Sequence, residues 1–213
     1  MYDTYRSLTG FDRVPDAQQY WCLAGRVVAP DNPQQLLPLC EPKHAVETGL
    51  ITPEQYIGVE IDPRRGEPNL KQAELPLALV LGDLSRTMRA YRRAGNFRPG
   101  LINLDTNREP QLAVSLLEKV YIEIQRTGLV EPVVIFLNVV MDGWRTYRDD
   151  ALVEALYRNR VTGADMLTSG WKMLVPTYEY HGTTSISRAH MKMYCLFHGI
   201  GHVSMPAREI KLI

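Results

Sequence analysis

The sequence has few features of a disulfide-bonded or membrane-bound protein. Its three cysteines, Cys22, Cys40 and Cys195, are an odd number without C-x-x-C spacing, which disfavours both a disulfide framework and a four-cysteine zinc site. Its longest apolar stretches, such as Pro132 to Met141, are about half the ~20 residues of a membrane helix. The first residues lack the basic-then-apolar plan of a signal peptide. We therefore expect a soluble cytoplasmic protein with reduced thiols.

Net charge and several common catalytic motifs are also absent. The 24 Lys and Arg residues balance 24 Asp and Glu residues, so the totals provide no attraction to nucleic acid or acidic lipid. No G-x-S-x-G elbow, P-loop lysine motif or G-x-G-x-x-G turn occurs, which disfavours hydrolases, nucleoside triphosphatases and dehydrogenases. The 213 residues, 45% of them hydrophobic, suffice for one core. We predict an N-terminal arm over residues 1–15 and a single domain over residues 16–213.

Apolar runs that alternate with helical patterns predict the secondary structure. The predicted strands are Gln19–Ala24, Gln55–Ile61, Leu77–Leu81, Gly100–Asp105, Val133–Val140, Lys172–Tyr180 and His190–His198. The predicted helices are Asn69–Leu75, Ser85–Ala94, residues 110–128 and Asp149–Asn159, with Asp83 or Ser85 as a cap for the second. The last two strands read as an antiparallel pair. This order predicts an α/β fold with a mainly parallel seven-stranded sheet, helices on both faces and an antiparallel C-terminal hairpin.

Small or acidic residues follow the predicted strands. They are Gly25 after the first strand, Glu60 and Asp62 after the second, Gly82-Asp83 after the third, and Asn103 with Asp105 at the fourth. Ligands of parallel α/β sheets bind beyond these carboxyl ends. An acid there can accept from ribose hydroxyls or an adenine amine, and a small residue lets the backbone approach a ligand. Because turns and helix caps also collect Gly and Asp, the individual residues leave a structural role open.

Taken in order, these segments resemble a known family. Leu23-Ala24-Gly25, Gly58-Val59-Glu60-Ile61-Asp62, Leu81-Gly82-Asp83-Leu84 and Asn103-Leu104-Asp105-Thr106 are similar to the successive motifs of class I S-adenosylmethionine-dependent methyltransferases. The resemblance extends from about Gln19 to His198 and includes the final antiparallel pair. It implies a Rossmann-like methyltransferase fold, S-adenosylmethionine as cofactor, and methyl transfer to a nitrogen or oxygen acceptor.

The resemblance also implies a role for each matching residue. Leu23, Ala24 and Gly25 would contact the amino-acid part of the cofactor. Glu60 would bind the ribose hydroxyls, with Asp62 as a second candidate, and Asp83 and Leu84 would hold the adenine. Asn103 and Asp105 would form the methyl-transfer site, where Asp105 orients or deprotonates the nucleophile. Thr106 and Arg108 would lie in a loop that meets the substrate.

Two departures from the family pattern leave alternatives open. Only Gly25 stands where the family has several glycines, and the next residue is the bulky Arg26. Asn103-Leu104-Asp105-Thr106 is neither the Pro-Pro-aromatic form of amino-methylating enzymes nor the Pro-Cys form of cytosine C5 enzymes. The alternatives are a catalytically inactive scaffold with this fold and a nucleotide-dependent enzyme of related α/β architecture that uses the same acids for another adenosine ligand.

An arginine-rich segment suggests a possible partner. Helical spacing places Arg86, Arg89 and Arg93 along one side of the predicted helix, with Arg92 beside them. Such a stripe can contact phosphates, so nucleic acid is one candidate acceptor or partner, and a solvated helix face is the other interpretation. The spacing of Cys195, His198 and His202 resembles that of zinc ligands, but on a strand the first two point to opposite faces of the sheet. We predict no metal.

Overall fold

The computed structural model describes residues 2–23, 40–62, 77–108, 110–128, 132–141, 171–181 and 190–198. Its helices are α1 (Tyr2–Thr9), α2 (Cys40–Glu47), α3 (Leu84–Arg93) and α4 (Pro110–Gln125), and a short 3-10 turn spans Pro53–Gln55. Its strands are β1 (Gln19–Leu23), β2 (Tyr56–Glu60), β3 (Ala78–Leu81), β4 (Pro99–Arg108), β5 (Val133–Met141), β6 (Lys172–His181) and β7 (His190–His198).

All seven strands form one sheet in the order β3-β2-β1-β4-β5-β7-β6. Strands β1 to β5 pair in parallel, and β7 pairs antiparallel with both β5 and β6. The predicted fold class, including the C-terminal hairpin, is therefore confirmed. Predicted helices Asn69–Leu75 and Asp149–Asn159 lie outside the described residues.

Strand alternation divides the core into two layers, because successive side chains point to opposite faces of the sheet. Trp21, Ile57, Ile102 and Ile135 face one layer, which α3 and α4 cover. Tyr20, Tyr56, Leu101 and Phe136 face the other layer, which α1 and α2 cover. The two cysteines whose burial is described, Cys22 and Cys195, are free thiols inside this second layer. Helices thus pack on both faces, as predicted.

Helix α1 lies within the segment that the sequence analysis treats as an arm. Its Tyr5 and Leu8 are fully buried in the α1–α2 layer. The Arg6 guanidinium donates to the carbonyl oxygens of Asp12 and Thr48, at 2.8 and 3.1 Å. These contacts tie the N-terminal segment to the chain that follows α2, so the helix packs against the domain. The sequence did not predict this helix because only two of its side chains are buried.

The start of β2 is held by a buried amide. Gln55 Nε2 donates to the carbonyl oxygens of Val14, Pro15 and Gln18, and its Oε1 accepts from the Thr52 amide at 2.8 Å. Because the residue is 5% exposed, these bonds replace those that water would make. This amide therefore connects the segment before β1 to the amino end of β2.

Helices α3 and α4 are joined by a buried carboxylate. Glu123 on α4 is 1% exposed and accepts from Arg89 Nε at 3.0 Å and Arg92 Nε at 2.8 Å, both on α3. Burial alone would raise its pKa, but the hydrogen bonds and positive charges of Arg92 and Arg89 hold the pKa below its ordinary value.

In the described part of the chain, no helix is both long and apolar enough to cross a membrane.

Candidate functional site

The register of the parallel strands brings four strand ends to one edge of the sheet. Leu23 pairs with Val59, Glu60 pairs with Leu81, and Cys22 pairs with Asn103. The predicted cofactor residues Leu23 and Glu60 therefore lie one residue apart along the strand direction, and the end of β3 leads directly into Gly82-Asp83. Predicted site residues Ala24 and Gly25 lie outside the described residues, as does Arg26.

Glu60 is the last residue of β2, and hydrogen bonds hold both its side chain and its backbone. It is 8% exposed, and its Oε1 accepts from the Asp62 backbone amide at 2.9 Å. Its carbonyl oxygen accepts from the Gly82 amide at 2.9 Å, which holds the β3–α3 turn beside it. Asp62, the second ribose candidate, lies beyond the strand and contributes this backbone amide to Glu60. Between the two ribose candidates, the geometry thus favours Glu60 over Asp62, because the Glu60 carboxylate is held in place by a hydrogen bond.

Asp83 caps α3, as the sequence predicts. Its Oδ1 accepts from Ser85 Oγ at 2.6 Å and from the Arg86 amide at 3.0 Å. The Ser85 bond is the main cause of a pKa below the ordinary aspartate value, so the carboxylate is ionised at neutral pH. The neighbouring Leu84 is 4% exposed and packs in the α3–α4 layer. Its side chain belongs to the core, so only its backbone remains as a ligand contact.

Strand β4 is longer than predicted, which corrects the position of two residues. Thr106 and Arg108 lie within β4, whereas the sequence analysis placed them in a loop after Asp105. Asp105 pairs with Asn138 and Arg108 pairs with Val139, so Thr106 and Asn107 form an irregularity in the ladder. The Thr106 hydroxyl donates to the Asn138 carbonyl oxygen at 2.8 Å. Pairing with β5 therefore extends β4 through a sequence of turn-forming residues.

Asn103 and Asp105 lie on the α1–α2 face of β4, because Leu101 on the same side packs in that layer. Asn103 is 4% exposed, and burial raises the pKa of Asp105. Burial and the negative charge of Asp105 also raise the pKa of the nearby Cys22 thiol to about 12, against a hydrogen bond with Tyr56 that lowers it. This thiol is therefore protonated at neutral pH. Cys22, Asn103 and Asp105 lie close together on this face.

A pocket of about 490 Å³ opens on the other face of the same edge. Its lining comes from the end of β1, the irregular part of β4 and one side of α4: Leu23, Thr106, Leu112, Ser115, Leu116 and Lys119. Its lining includes both a predicted cofactor residue, Leu23, and a predicted substrate residue, Thr106. Ser115 and Lys119 are not among the predicted site residues, although their spacing from Leu112 and Leu116 puts all four on one helix face. Leu112 is 55% exposed, so this face of α4 is open to solvent where the pocket lies.

The arginine-rich helix does not present a free stripe of positive charge. Arg89 and Arg92 are paired with the buried Glu123, whereas Arg86 and Arg93 are exposed. The sequence could not show this pairing, since Glu123 lies on another helix. Phosphate contact by these arginines therefore stays a prediction, with Arg89 and Arg92 already bound to a carboxylate.

The candidate zinc ligands are separated in space. Cys195 is fully buried in the α1–α2 layer, while the ring of His198 lies 5.5 Å from that of Trp171, in the α3–α4 layer. His202 lies outside the described residues. Within the residues that the structure describes, no group of three or more His, Cys, Asp and Glu side chains could hold a metal ion.

Comparison with known proteins identifies the fold. No protein-family model matches the chain, and no curated protein sequence does. The structure of the plantazolicin methyltransferase BamL, in complex with a triazolic desmethylPZN analog and SAH, matches with a TM-score of 0.51 and 10% identity over 92% of this chain and 81% of that chain. Aeropyrum pernix fibrillarin with natively bound S-adenosyl-L-methionine matches with a TM-score of 0.46 and 16% identity, over 85% and 67%. The similarity to BamL agrees with the seven-stranded sheet described above. The chain therefore has the fold of the class I S-adenosylmethionine-dependent methyltransferases.

Proposed function

We propose that the protein is an S-adenosylmethionine-dependent methyltransferase whose cofactor binds across the carboxyl ends of β1 to β4. The observation that carries this proposal is the buried Glu60 carboxylate at the end of β2, hydrogen-bonded through its backbone to the turn that leads to Asp83. Glu60 accepts from the ribose hydroxyls and Asp83 from the adenine amine. Leu23, Ala24 and Gly25 adjoin the amino-acid part, and Asp62 borders the ribose.

The donor and acceptor groups fit this cofactor. Glu60 and Asp83 each use one oxygen to accept a backbone amide, from Asp62 and Arg86 respectively. That bond orients the carboxylate and leaves its second oxygen for a ligand. A ribose offers two O–H donors and an exocyclic amine offers two N–H donors, which two such carboxylates can accept. The pocket of about 490 Å³ beside Leu23 has the size of a small-molecule site.

When bound, S-adenosylmethionine supplies a methyl group on a positively charged sulfur and leaves as S-adenosylhomocysteine. The chain's own task is to position the nucleophile and accept its proton. Asp105 suits this role because burial raises its pKa, which makes its carboxylate a stronger proton acceptor than an exposed aspartate. Asn103 lies two residues earlier on the same face of β4. Positioning by such groups accounts for most of the expected catalysis.

The methyl acceptor in this proposal is a nitrogen or oxygen nucleophile that enters beside Thr106, with Arg108 farther along the same strand. Nucleic acid is a weaker candidate than the sequence suggests, since two of the four arginines on α3 hold Glu123. A small molecule or a protein side chain needs no such basic surface.

Calorimetric titration with S-adenosylmethionine and with S-adenosylhomocysteine tests the proposal. We expect saturable binding to the wild type and about tenfold or greater weakening by Glu60→Gln and by Asp83→Ser, because each removes a charged hydrogen-bond acceptor. Serine is chosen at position 83 because it preserves the helix cap. The control is Glu47→Gln, an exposed acid at the end of α2, near the amino edge of the sheet, which we expect to leave affinity unchanged.

Two outcomes would contradict the proposal. Failure of the folded wild type to bind either compound would reject the methyltransferase and favour the inactive scaffold. Binding that neither Glu60→Gln nor Asp83→Ser weakens would reject this location of the cofactor site.

A further inference from the structure

Two neighbouring oxygens at the carboxyl edge are buried without a hydrogen bond. In the described part of the chain, neither Oδ1 of Asp105 nor Oδ1 of Asn138 accepts from any donor. The two residues pair in the β4–β5 register, and strands lie about 4.8 Å apart in a sheet. Both side chains lie on the α1–α2 face, since Leu101 and Phe136, an even number of residues earlier on each strand, pack there. The two oxygens therefore form a pair of adjacent, unsatisfied acceptors.

The fold does not require a polar residue at position 138. Asn138 is the single polar residue from Val133 to Val140, in a strand that helices cover on both faces. Such strands are normally apolar throughout, and a buried acceptor without a donor costs free energy. The amide of Gln55 shows the opposite case, because its buried oxygen and nitrogen have partners within the chain. Asn138 is therefore better explained by a ligand than by folding.

We propose that Asn138 binds the methyl acceptor together with Asp105, and that this pair selects a neutral amino group. The inference rests on the methyltransferase function proposed above. An amino group has two N–H donors, one for each oxygen, and keeps a lone pair for the incoming methyl. A hydroxyl has one donor, so it leaves one oxygen of the pair unsatisfied. Sites built to hydrogen-bond a ligand reject analogues that lack the matching donor.

The backbone around the pair sets its geometry. The Thr106 hydroxyl donates to the carbonyl oxygen of Asn138, which fixes β5 against the irregular part of β4 and keeps the two side chains side by side. Thr106 also lines the pocket of about 490 Å³, but that pocket opens on the α3–α4 face and is therefore separate from the pair. The donor requirement of the pair alone defines the substrate class, which is a neutral amine.

Thermal unfolding of the free protein gives the first test, without any ligand. Asn138→Leu keeps the side-chain volume and removes the unsatisfied oxygen, so we expect an equal or higher Tm. The matched control is Gln55→Met, which removes a buried amide whose oxygen and nitrogen both have partners, and we expect it to lower Tm. If Asn138→Leu lowers Tm as much as Gln55→Met does, Asn138 is structural and the proposal is wrong.

Titration with aniline, phenol and toluene gives the second test. These probes have the same size and carry two, one and no donors. With changes in the ¹H–¹⁵N spectrum as the readout, we expect the wild type to bind aniline at least about tenfold more tightly than phenol and toluene. We expect Asn138→Leu to bind aniline and phenol equally. Equal binding of the three probes by the wild type, or no binding of aniline, would overturn the proposal.

The titrations are run both with and without S-adenosylhomocysteine, which separates this inference from the proposed function. We expect Asn138→Leu to bind S-adenosylhomocysteine as the wild type does, because Asn138 lies away from Glu60 and Asp83. A wild type that does not bind S-adenosylhomocysteine would reject the cofactor, while its preference among the three probes would still show whether Asp105 and Asn138 act as a pair.

Discussion

The buried carboxylate of Glu123 allows a prediction with a definite sign. Its two closest partners are Arg92, whose side chain is 23% exposed, and Arg89, whose side chain is 47% exposed. The double variant Arg89→Gln/Arg92→Gln leaves Glu123 buried with one ion-pair partner among the described residues, the more distant guanidinium of Arg126 at 3.5 Å. Removing the partners of a buried charge destabilises a protein more than the intact pair stabilises it.

The size of the effect follows from the two hydrogen bonds. A bond to a charged group contributes roughly 1.5–3 kcal/mol. The Arg92 bond, at 2.8 Å and mostly shielded from water, belongs to the upper part of that range. The Arg89 contribution is discounted because solvent screens a half-exposed guanidinium. Together they predict a loss of about 3 kcal/mol in the free energy of unfolding at neutral pH, or roughly 6–12 °C in Tm for a chain of this size.

The pH dependence of this loss follows from the pKa of Glu123. In the wild type the arginines hold that pKa below its unfolded value, so the stabilisation is present above the unfolded pKa and is lost as pH falls through the folded pKa. In the double variant burial dominates and raises the folded pKa, so the carboxyl stabilises only when protonated, at pH below about 4. The gap between the two proteins is therefore expected to be largest near pH 7 and to narrow toward pH 4.

Urea unfolding at both pH values measures this gap. The control is Arg93→Gln/Arg98→Gln, which removes the same charge from exposed arginines and is expected to change stability by less than about 0.5 kcal/mol. Equal losses in the two double variants, or a gap that does not narrow at low pH, would refute the assignment of Arg89 and Arg92 to Glu123.

Two further predictions concern the backbone. Gly100→Ala is expected to cost about 1–3 kcal/mol in urea unfolding, because its Cβ would lie 2.7–2.9 Å from side-chain atoms of the buried Gln18, and an unchanged midpoint would contradict this contact. Asp83→Ala is expected to be about 1 kcal/mol less stable than Asp83→Ser, because serine still caps α3, and equal Tm values would show that the cap contributes nothing.

The strands could be predicted well because each one is encoded by the residue types of its own short segment. Buried parallel strands are short apolar runs, and residues such as Val133 to Leu137 have the same character on both faces of the sheet. The end of β4 was predicted wrongly because Asp105-Thr106-Asn107 consists of turn-forming residues. Asp105 and Arg108, which flank the irregularity, keep this segment in the sheet by pairing with Asn138 and Val139, more than thirty positions away in the chain.

Non-local contacts also explain what was missed elsewhere. Helix α1 has only Tyr5 and Leu8 buried, and their layer includes Leu50, far along the chain. Arg89 and Arg92 are separated from Glu123 by 34 and 31 residues, so their pairing has no signature in the helix that contains them. The strand-end acids Glu60 and Asp83 could be placed at one edge from sequence because the carboxyl ends of parallel strands meet there, and their ligand roles stay predictions. The role proposed for Asn138 could not be predicted, since it depends on the register of Asn138 with Asp105.

Gln55, Glu123 and the Asp105–Asn138 pair illustrate how satisfied and unsatisfied buried polar groups are expected to differ in their effects on stability and binding. Gln55 lies before the start of β2, and Glu123 lies near the end of α4, which returns toward the amino edge of the sheet; both have their partners inside the protein. The buried oxygens of Asp105 and Asn138 lack partners in the described residues and lie at the carboxyl edge, where parallel α/β sheets bind ligands. Removing a hydrogen-bonded group leaves its former partners buried without a hydrogen bond, which lowers stability. Removing a buried acceptor that has no partner instead removes a desolvation penalty from the folded state. Variants of Gln55 and Glu123 should therefore lower stability and preserve binding, while Asn138→Leu should preserve or raise stability and weaken binding of the amine.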